Sequence, residues 1–197
     1  LLVSDFDDTL YGENMQVAPA NLTALDYFTR EGGIFTVATG RAHPTFAPHA
    51  RCAPINAPVV LSNGSALYDF HEDRMVYETF LPQRVREDLE QVARDIPEIG
   101  FEAYHHDDIY VYQPNAVTWN HLGRAGMEAA EVPIGQMPLP WSKVILQQKN
   151  DVLLRTQQYM LERWGDVYEV IFSNLVLLEL TRKGSNKGGM VDYLVSY

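Results

Sequence analysis

The 197-residue chain is poor in cysteine, in positive charge and in long apolar runs. Its single cysteine, Cys52, cannot form a disulfide within the chain and suits a reducing compartment. We therefore interpret Cys52 as a packing residue and expect a cytoplasmic protein. The 15 basic and 26 acidic residues give a formal net charge of −11, which argues against nucleic-acid or anionic-membrane partners. No apolar run is long enough to cross a bilayer.

What is present in the first third is an alternation of strand-like and helix-like patterns. Three apolar runs are predicted strands: "LLVS" (1–4), "IFTVAT" (34–39) and "PVVLSNGSALYD" (58–69). Between the first two, Leu22, Leu25 and Phe28 recur at helical spacing before the glycine pair at 32–33. Strands joined by helices predict right-handed crossovers and a parallel sheet. Ligands of such sheets bind beyond the carboxyl ends of the strands.

The middle of the chain mixes helices with hairpin strands. A predicted helix opens at Pro82 and carries one apolar stripe, formed by Val85, Leu89, Val92 and Ile96. "FEAYHH" and "DIYVYQ" predict a hairpin whose turn lies near 107–108. The three tryptophans, at positions 119, 141 and 164, are expected to lie in the core of this part.

These patterns predict an α/β fold in which a Rossmann-like parallel core receives an inserted α+β domain. We assign residues 1–80 and 183–197 to the core and residues 81–182 to the insert. The chain begins without methionine inside an apparent strand and stops inside an apparent helix. We therefore expect it to be part of a longer protein, truncated before the last core strands.

The stretch "DFDDTL" (5–10) collects three carboxylates at the end of the first predicted strand. Charges of one sign this close repel each other, so the arrangement needs compensation. A carboxylate becomes a useful nucleophile toward phosphorus when a metal neutralises the site. A second carboxylate two residues on could then act as general acid and base, and Mg²⁺ suits oxygen ligands of this kind. An Asp-rich turn without function is the alternative interpretation.

A strand followed by D-x-D-x-T resembles the first motif of the haloacid dehalogenase-like superfamily, here Asp5-Phe6-Asp7-Asp8-Thr9. The resemblance implies that Asp5 is the nucleophile, that Asp7 is the general acid and base, and that both bind Mg²⁺. "TVATGR" (36–41) resembles the second motif. A threonine hydroxyl and the following backbone N–H groups are natural phosphate ligands, which assigns phosphate binding to Thr39 and Gly40. A plain threonine before a glycine turn is the alternative.

Two further stretches resemble the Cof-type branch of this superfamily, whose members carry the larger α/β cap (type IIB). "SNG" (62–64) would place Asn63 and Gly64 in the substrate pocket, beside Arg41, although an Asn-Gly turn needs no function. "GSNKG" (184–188) would open the helix that returns to the core. Lys187, rather than Lys183, is assigned to the phosphate because it stands at that helix start, where N–H groups also favour anions. A solvated lysine is the alternative.

The stretch "YHHDDIYVY" (104–112) offers candidate substrate contacts in the inserted domain, and we assign Tyr104 and His106 to that role. Two adjacent histidines beside two aspartates also invite a zinc interpretation. Neighbours on a strand point to opposite faces, however, so His105 and His106 are expected to face one site only if the strand bends there. A polar hairpin tip without function is the third possibility.

The resemblance therefore implies a Mg²⁺-dependent phosphatase that hydrolyses small phosphorylated metabolites, with sugar phosphates favoured, through an aspartyl-phosphate intermediate. A phosphomannomutase-like phosphoryl transferase is an alternative with the same nucleophile. A non-catalytic ligand-binding domain is another, since the family's fourth acidic motif is not found before residue 197.

Overall fold

The computed structural model describes residues 1–12, 14 and 16–197 and divides into two compact units. Unit 1 comprises Leu1–Glu78 and Ser185–Tyr197, and unit 2 comprises Thr79–Gly184. The sequence predicts the corresponding changes after residues 80 and 182. Unit 2 is thus continuous in sequence, whereas unit 1 is built from both ends of the chain.

Within the described residues, eleven strands and six α-helices form these units. The strands are Leu2–Asp5 (β1), Phe35–Ala38 (β2), Val59–Leu61 (β3), Ala66–Asp69 (β4), Arg74–Glu78 (β5), Gly100–His105 (β6), Asp108–Tyr112 (β7), Ala130–Glu131 (β8), Lys143–Gln147 (β9), Tyr168–Asn174 (β10) and Leu177–Arg182 (β11). The helices are Pro19–Arg30 (α1), His43–Phe46 (α2), Val85–Asp95 (α3), Ala116–Ala125 (α4), Asn150–Trp164 (α5) and Lys187–Ser196 (α6).

The sheet of unit 1 has the order β1-β2-β3-β4-β5. Its first three strands are parallel, while β4 and β5 continue the sheet with antiparallel pairing. Asp5 pairs with Ala38 and Ala38 pairs with Val60, so the carboxyl ends of β1, β2 and β3 meet at one edge. This arrangement confirms the predicted α/β class with a parallel core, and it concentrates three loops where a ligand of such a sheet binds.

Helix α1 packs on this sheet through the residues whose spacing predicts it. Leu25 is buried, and Leu22 and Phe28 pack partly buried against the same core cluster. The helix ends in a Schellman arrangement, in which the N–H of Gly33 donates to Phe28 O (2.9 Å) and the N–H of Gly32 donates to Thr29 O (3.1 Å). Gly32 has a φ of 87°, a left-handed conformation that glycine adopts at low cost.

The six-stranded sheet of unit 2 has the order β10-β11-β9-β6-β7-β8 and is antiparallel except where β7 pairs with β8. Side chains alternate between two faces along each strand. Phe101 and Leu146 belong to one core cluster, which includes residues of α3 and α5. Tyr104 and Ile145 belong to another, which includes Leu122 of α4. The sheet therefore has a buried layer on each face.

Two sequence predictions for unit 2 are wrong. Helix α3 begins at Val85 rather than at Pro82, because Pro82 opens a preceding turn in which its carbonyl accepts the N–H of Val85 (2.9 Å). Trp119 is 50% exposed rather than part of the core, whereas Trp141 and Trp164 are buried as predicted. On α4 the inward positions are taken by Thr118 and Leu122, so Trp119 lies on the outer face.

The α-helices of the described residues are short relative to the width of a bilayer. The longest, α5, has 15 residues, and a membrane-spanning helix needs about 20 apolar residues. Among the described ranges, therefore, no helix has both the length and the apolar character needed to span a membrane.

We predict that Leu89→Ala in α3 lowers the free energy of unfolding by about 2–5 kcal/mol, because the side chain is fully buried and its removal leaves a cavity. Leu154→Ala on α5 is the matched control, since Leu154 is 52% exposed and its truncation should change stability by no more than about 0.5 kcal/mol. All three tryptophans lie in unit 2, so urea unfolding followed by tryptophan fluorescence measures this unit. Equal losses in the two variants would contradict the packing described.

Candidate active site

The carboxylate of Asp5 stands at the carboxyl end of β1 and is held from two sides. Its Oδ1 accepts a hydrogen bond from Lys187 Nζ (2.5 Å), and its Oδ2 accepts one from Thr9 Oγ1 (3.3 Å). The chain then turns sharply, with the N–H of Tyr11 donating to Phe6 O (2.8 Å). Because Phe6 is fully buried between Asp5 and Asp7, the two carboxylates are left on the outside of the loop.

The carboxylate of Asp7 is paired with Arg41. Arg41 donates from Nη2 to Asp7 Oδ1 (2.7 Å) and from Nε to both carboxylate oxygens (3.1 Å each). Its guanidinium carbon lies 5.2 Å from the ring centre of Phe6 and 5.9 Å from that of Tyr11, distances that suit a cation–π contact. Thr39 Oγ1 lies 3.5 Å from Asp7 Oδ2. Arg41, which the sequence assigns to substrate, is thus oriented toward Asp7.

Arg41 supplies the positive charge opposite Asp7, and the neighbouring histidine does not. The ring of His49 lies 4.9 Å from that of Tyr11. Partial burial, followed by the nearby Arg41 cation, lowers the pKa of His49, although Asp7 partly opposes this. A histidine with a lowered pKa is neutral at neutral pH.

The loop after β2 is attached to the turn after β3 by backbone hydrogen bonds. The N–H of Asn63 donates to Thr39 O (3.0 Å), and that of Ser62 donates to Arg41 O (2.9 Å). Thr39 is 1% exposed, and its hydroxyl oxygen accepts the N–H of Arg41 (3.1 Å). The strand ends of β2 and β3 are therefore fixed to each other at the edge where Asp5 stands.

Lys187 is the first residue of α6, as the sequence predicts. Its helix is capped by Asn186, whose side-chain oxygen accepts the N–H of Gly189 (2.9 Å), a typical N-cap bond. Lys183, the other candidate, instead lies in unit 2 with its Nζ 3.5 Å from Glu169 Oε2. The structure thus brings Lys187, and not Lys183, to Asp5.

The sequence-predicted residues of unit 1 form two hydrogen-bonded groups: Lys187 pairs with Asp5, while Arg41 and Thr39 contact Asp7. Gly40 and Asn63 adjoin the second group. A Cβ added to Gly40 would lie 3.2 Å from Asn63 Oδ1, so the two residues are in close contact. Gly64 completes the turn after β3 and has a φ of 96°.

Tyr104 and His106 lie in unit 2. Tyr104 is 6% exposed, its hydroxyl donates to Glu102 Oε2 (2.8 Å), and Lys143 Nζ lies 4.6 Å from its ring centre. Burial, followed by the Glu102 charge, raises the pKa of Tyr104. A substrate contact from Tyr104 would therefore have to compete with this internal hydrogen bond, and its assigned role stays a prediction.

His105 and His106 lie side by side because the chain bends between them. Strand β6 ends at His105, and His106 enters the hairpin turn with a φ of 52°, so the strand alternation does not extend to His106. The two rings lie 4.4 Å apart, and His105 Nδ1 is 2.8 Å from Pro140 O. His106 also approaches the ring of Phe80 (6.0 Å).

Sequence reasoning missed a buried carboxylate in the sheet of unit 2. Glu102 is fully buried and accepts hydrogen bonds from the Tyr104 hydroxyl, from the Gln147 amide and from His121, whose Nδ1 is 3.0 Å from Oε1. A buried carboxylate needs such partners. The sequence does contain a signal for it, because Glu102 is a charged residue within the otherwise apolar run "FEAY" (101–104).

The Asp5 carboxylate and the Asp7 backbone carbonyl are oxygen donors of the kind that suits a hard cation. Among the described ranges, no group of three or more His, Cys, Asp or Glu side chains is placed to hold a metal ion. Mg²⁺ is commonly held by one or two carboxylates together with waters and substrate phosphate, so the donor set of this loop fits Mg²⁺ on those terms.

Comparison with known proteins gives a family for the chain. Residues 2–197 match the family described as haloacid dehalogenase-like hydrolase. A protein of Buchnera aphidicola named "Putative phosphatase" is 26% identical, with 100% of this chain and 74% of that protein covered. The pyridoxal phosphate phosphatase YbhA of Escherichia coli is 23% identical, with 61% of this chain and 41% of that protein covered.

Solved structures share the fold. A haloacid dehalogenase-like hydrolase from Bacteroides thetaiotaomicron is similar with a TM-score of 0.80 and 21% identity, covering 98% of this chain and 75% of that one. A sugar phosphatase of subclass IIB is similar with a TM-score of 0.78 and 14% identity, covering 98% of this chain and 74% of that one. The chain therefore belongs to the haloacid dehalogenase-like hydrolase family, and the phosphatases among its relatives confirm the predicted enzyme class.

Proposed function

We propose that the protein hydrolyses phosphate monoesters of small metabolites through an aspartyl-phosphate on Asp5. The observation that supports this most is the pairing of two carboxylates at the end of β1 with two different cations. Lys187 Nζ lies 2.5 Å from Asp5, and Arg41 holds Asp7 by three hydrogen bonds. Two carboxylates in different environments are suited to different roles.

In the first step an Asp5 carboxylate oxygen uses a lone pair to form a bond to phosphorus. The bond between phosphorus and the ester oxygen breaks, and its electron pair leaves with that oxygen. The carboxyl group of Asp7 supplies the proton that the leaving oxygen takes up. The products are an aspartyl-phosphate on Asp5, an alcohol and the Asp7 carboxylate.

In the second step a water molecule restores the enzyme. The Asp7 carboxylate accepts a proton from the water as its oxygen forms a bond to phosphorus, and the bond from phosphorus to Asp5 breaks. Orthophosphate leaves, Asp5 is again a carboxylate, and Asp7 is again protonated. Arg41, whose guanidinium also donates to Thr45 O (3.2 Å), orients the Asp7 carboxylate as the base of this step.

Three groups are suited to hold the transferred phosphoryl group. The Lys187 ammonium adjoins Asp5, the Thr39 hydroxyl lies at the same edge, and the Gly40 backbone follows Thr39. We assign phosphate binding to these residues, and we assign substrate contacts to Arg41, Asn63, Gly64, Tyr104 and His106. Backbone N–H groups and hydroxyls at a strand end form anion sites of this kind.

We also propose that the enzyme requires Mg²⁺. Asp5 would hold the ion by its side chain and Asp7 by its backbone carbonyl, both of them hard oxygen donors. When bound, Mg²⁺ would supply positive charge that lowers the repulsion between the carboxylates and the substrate phosphate. Lys187 carries a single positive charge, whereas Asp5 and the substrate phosphate together bring more than one negative charge.

The substrates we favour are sugar phosphates. A structural neighbour is a sugar phosphatase by name, and a relative in Escherichia coli is a pyridoxal phosphate phosphatase by name. We therefore propose a small phosphorylated metabolite as substrate, with unit 2 as the cap domain that selects it. The net charge of −11 and the single cysteine support a cytoplasmic enzyme without nucleic-acid or membrane partners.

Asp5→Asn should lower kcat on phosphate monoesters by on the order of 10³-fold or more, because the amide cannot attack phosphorus. Asp8→Asn is the matched control, since Asp8 is exposed, has a φ of 57° and tolerates asparagine there. Its kcat should stay within about twofold of the wild type. Orthophosphate release by the full-length protein, with Mg²⁺ and with a chelator, is the measurement. Activity indifferent to Asp5 would exclude the covalent mechanism.

Asp7→Asn should let the covalent intermediate accumulate. With 4-nitrophenyl phosphate the leaving group needs little protonation, so the first step continues while the second lacks its base. We expect a burst of one 4-nitrophenolate per enzyme, followed by slow turnover, and a phosphoryl group on the peptide containing Asp5 by mass spectrometry. Steady turnover close to the wild-type rate, without a burst, would remove Asp7 from the role of base in the second step.

A panel of sugar phosphates with pyridoxal phosphate should identify the substrate class by kcat/KM. We expect turnover to yield orthophosphate without any bisphosphorylated cofactor. Activation by a bisphosphorylated sugar, with the phosphoryl group moved between sugar positions, would instead favour the phosphomannomutase-like reaction. Binding of the panel without any turnover would favour a non-catalytic domain.

A further inference from the structure

The turn that follows β3 has an unusual backbone. Three successive residues, Ser62, Asn63 and Gly64, have positive φ angles of 49°, 53° and 96°. Such conformations are uncommon for residues other than glycine; they cost free energy and persist only where the surroundings fix them. Strained turns of this kind cluster at functional sites, and this one is hydrogen-bonded to the backbone of Thr39 and Arg41.

Gly64 is the point where this turn meets helix α6. A Cβ added to Gly64 would lie 2.2 Å from the backbone oxygen of Asn186 and 2.3 Å from its carbonyl carbon. Separations under 3.0 Å are essentially never seen for real Cβ atoms, and the obstacle is backbone, which cannot rotate away. Any other residue at position 64 would therefore displace the start of α6, the turn, or both.

The start of α6 is also where the phosphate lysine is held. Asn186 is the N-cap of the helix, and Lys187 is its first residue, with Nζ 2.5 Å from Asp5 Oδ1. The pair is exposed, at 39% for the Lys187 side chain and 43% for that of Asp5, so the ion pair itself contributes little to stability. The lysine must therefore be brought to Asp5 by the backbone that carries it.

We propose that Gly64 is a positioning residue for Lys187. Its bare backbone lets the turn after β3 pack directly on the Asn186 carbonyl, and this contact sets where α6 begins and where Lys187 meets Asp5. The inference rests on the proposed function only for its effect on catalysis. It adds to the substrate contact assigned to Gly64 an action through Lys187.

Gly64→Ala should release Lys187 from Asp5, which can be measured without turnover. Competitive acetylation of the full-length protein, followed by peptide mass spectrometry, gives the labelling of Lys187 relative to the exposed Lys149. We expect this ratio to rise severalfold in Gly64→Ala. Gly32→Ala is the matched control, because Gly32 has a similar φ of 87° but nothing within 4 Å of the added Cβ. Its ratio should equal that of the wild type.

In catalysis, Gly64→Ala should lower kcat/KM by on the order of 10²-fold, as for loss of one charge-stabilising donor. In a Lys187→Met background the same change should cost less than about threefold, because two residues that act through one contact are not additive. Full additivity, or an unchanged labelling ratio in folded Gly64→Ala, would overturn the proposal. A raised ratio in a protein whose wild type hydrolyses no ester would support the positioning role while rejecting the proposed function.

Asn186→Ala provides a second test should Gly64→Ala not fold. It removes the side-chain cap but keeps the backbone contact with Gly64. We expect the labelling ratio of Lys187 to stay within about twofold of the wild type, because loss of a cap costs only about 1 kcal/mol. A severalfold rise would show that the cap, and not the contact with Gly64, positions the lysine.

Discussion

The candidate site depends on one constraint, the negative charge of two neighbouring carboxylates at the carboxyl end of β1. Asp5 and Asp7 lie two residues apart and each needs a cation, and the cations come from distant parts of the chain, Lys187 for one and Arg41 for the other. Parallel pairing makes this possible, because the carboxyl ends of β1, β2 and β3 meet at one edge. A meander of antiparallel strands would send successive ends to opposite edges.

These ion pairs do not hold the fold together. The side chains of Asp5, Asp7 and Lys187 are 39–46% exposed and that of Arg41 is 25% exposed, and ion pairs open to solvent contribute about 0–1 kcal/mol each. The geometry is instead fixed by apolar burial directly beneath the site. Phe6 is fully buried between the two carboxylates, and its ring stacks on Tyr11 at 4.8 Å. Burial of Phe6 thus fixes the positions of the Asp5 and Asp7 carboxylates, which repel each other.

Much of the fold and site follows from local patterns in the sequence. Helix α1 was predictable because Leu22, Leu25 and Phe28 share one face. The choice of Lys187 needed the family resemblance as well, and the helix start beside Gly188 served only to separate it from Lys183. Where a residue's environment is decided by distant packing, local patterns predict less. Trp119 is apolar yet exposed, because Thr118 and Leu122 take the inward positions of α4.

Glycine shows most clearly what a sequence leaves undetermined. Gly32 and Gly64 have similar φ angles, 87° and 96°, and both look like turn glycines in the sequence. Around Gly32 there is space for a side chain, whereas at Gly64 the Asn186 backbone fills it. The first glycine serves only its own helix end, while the second joins segments more than a hundred residues apart. That difference arises only in the folded chain, where the Asn186 backbone at the start of α6 packs against the turn after β3.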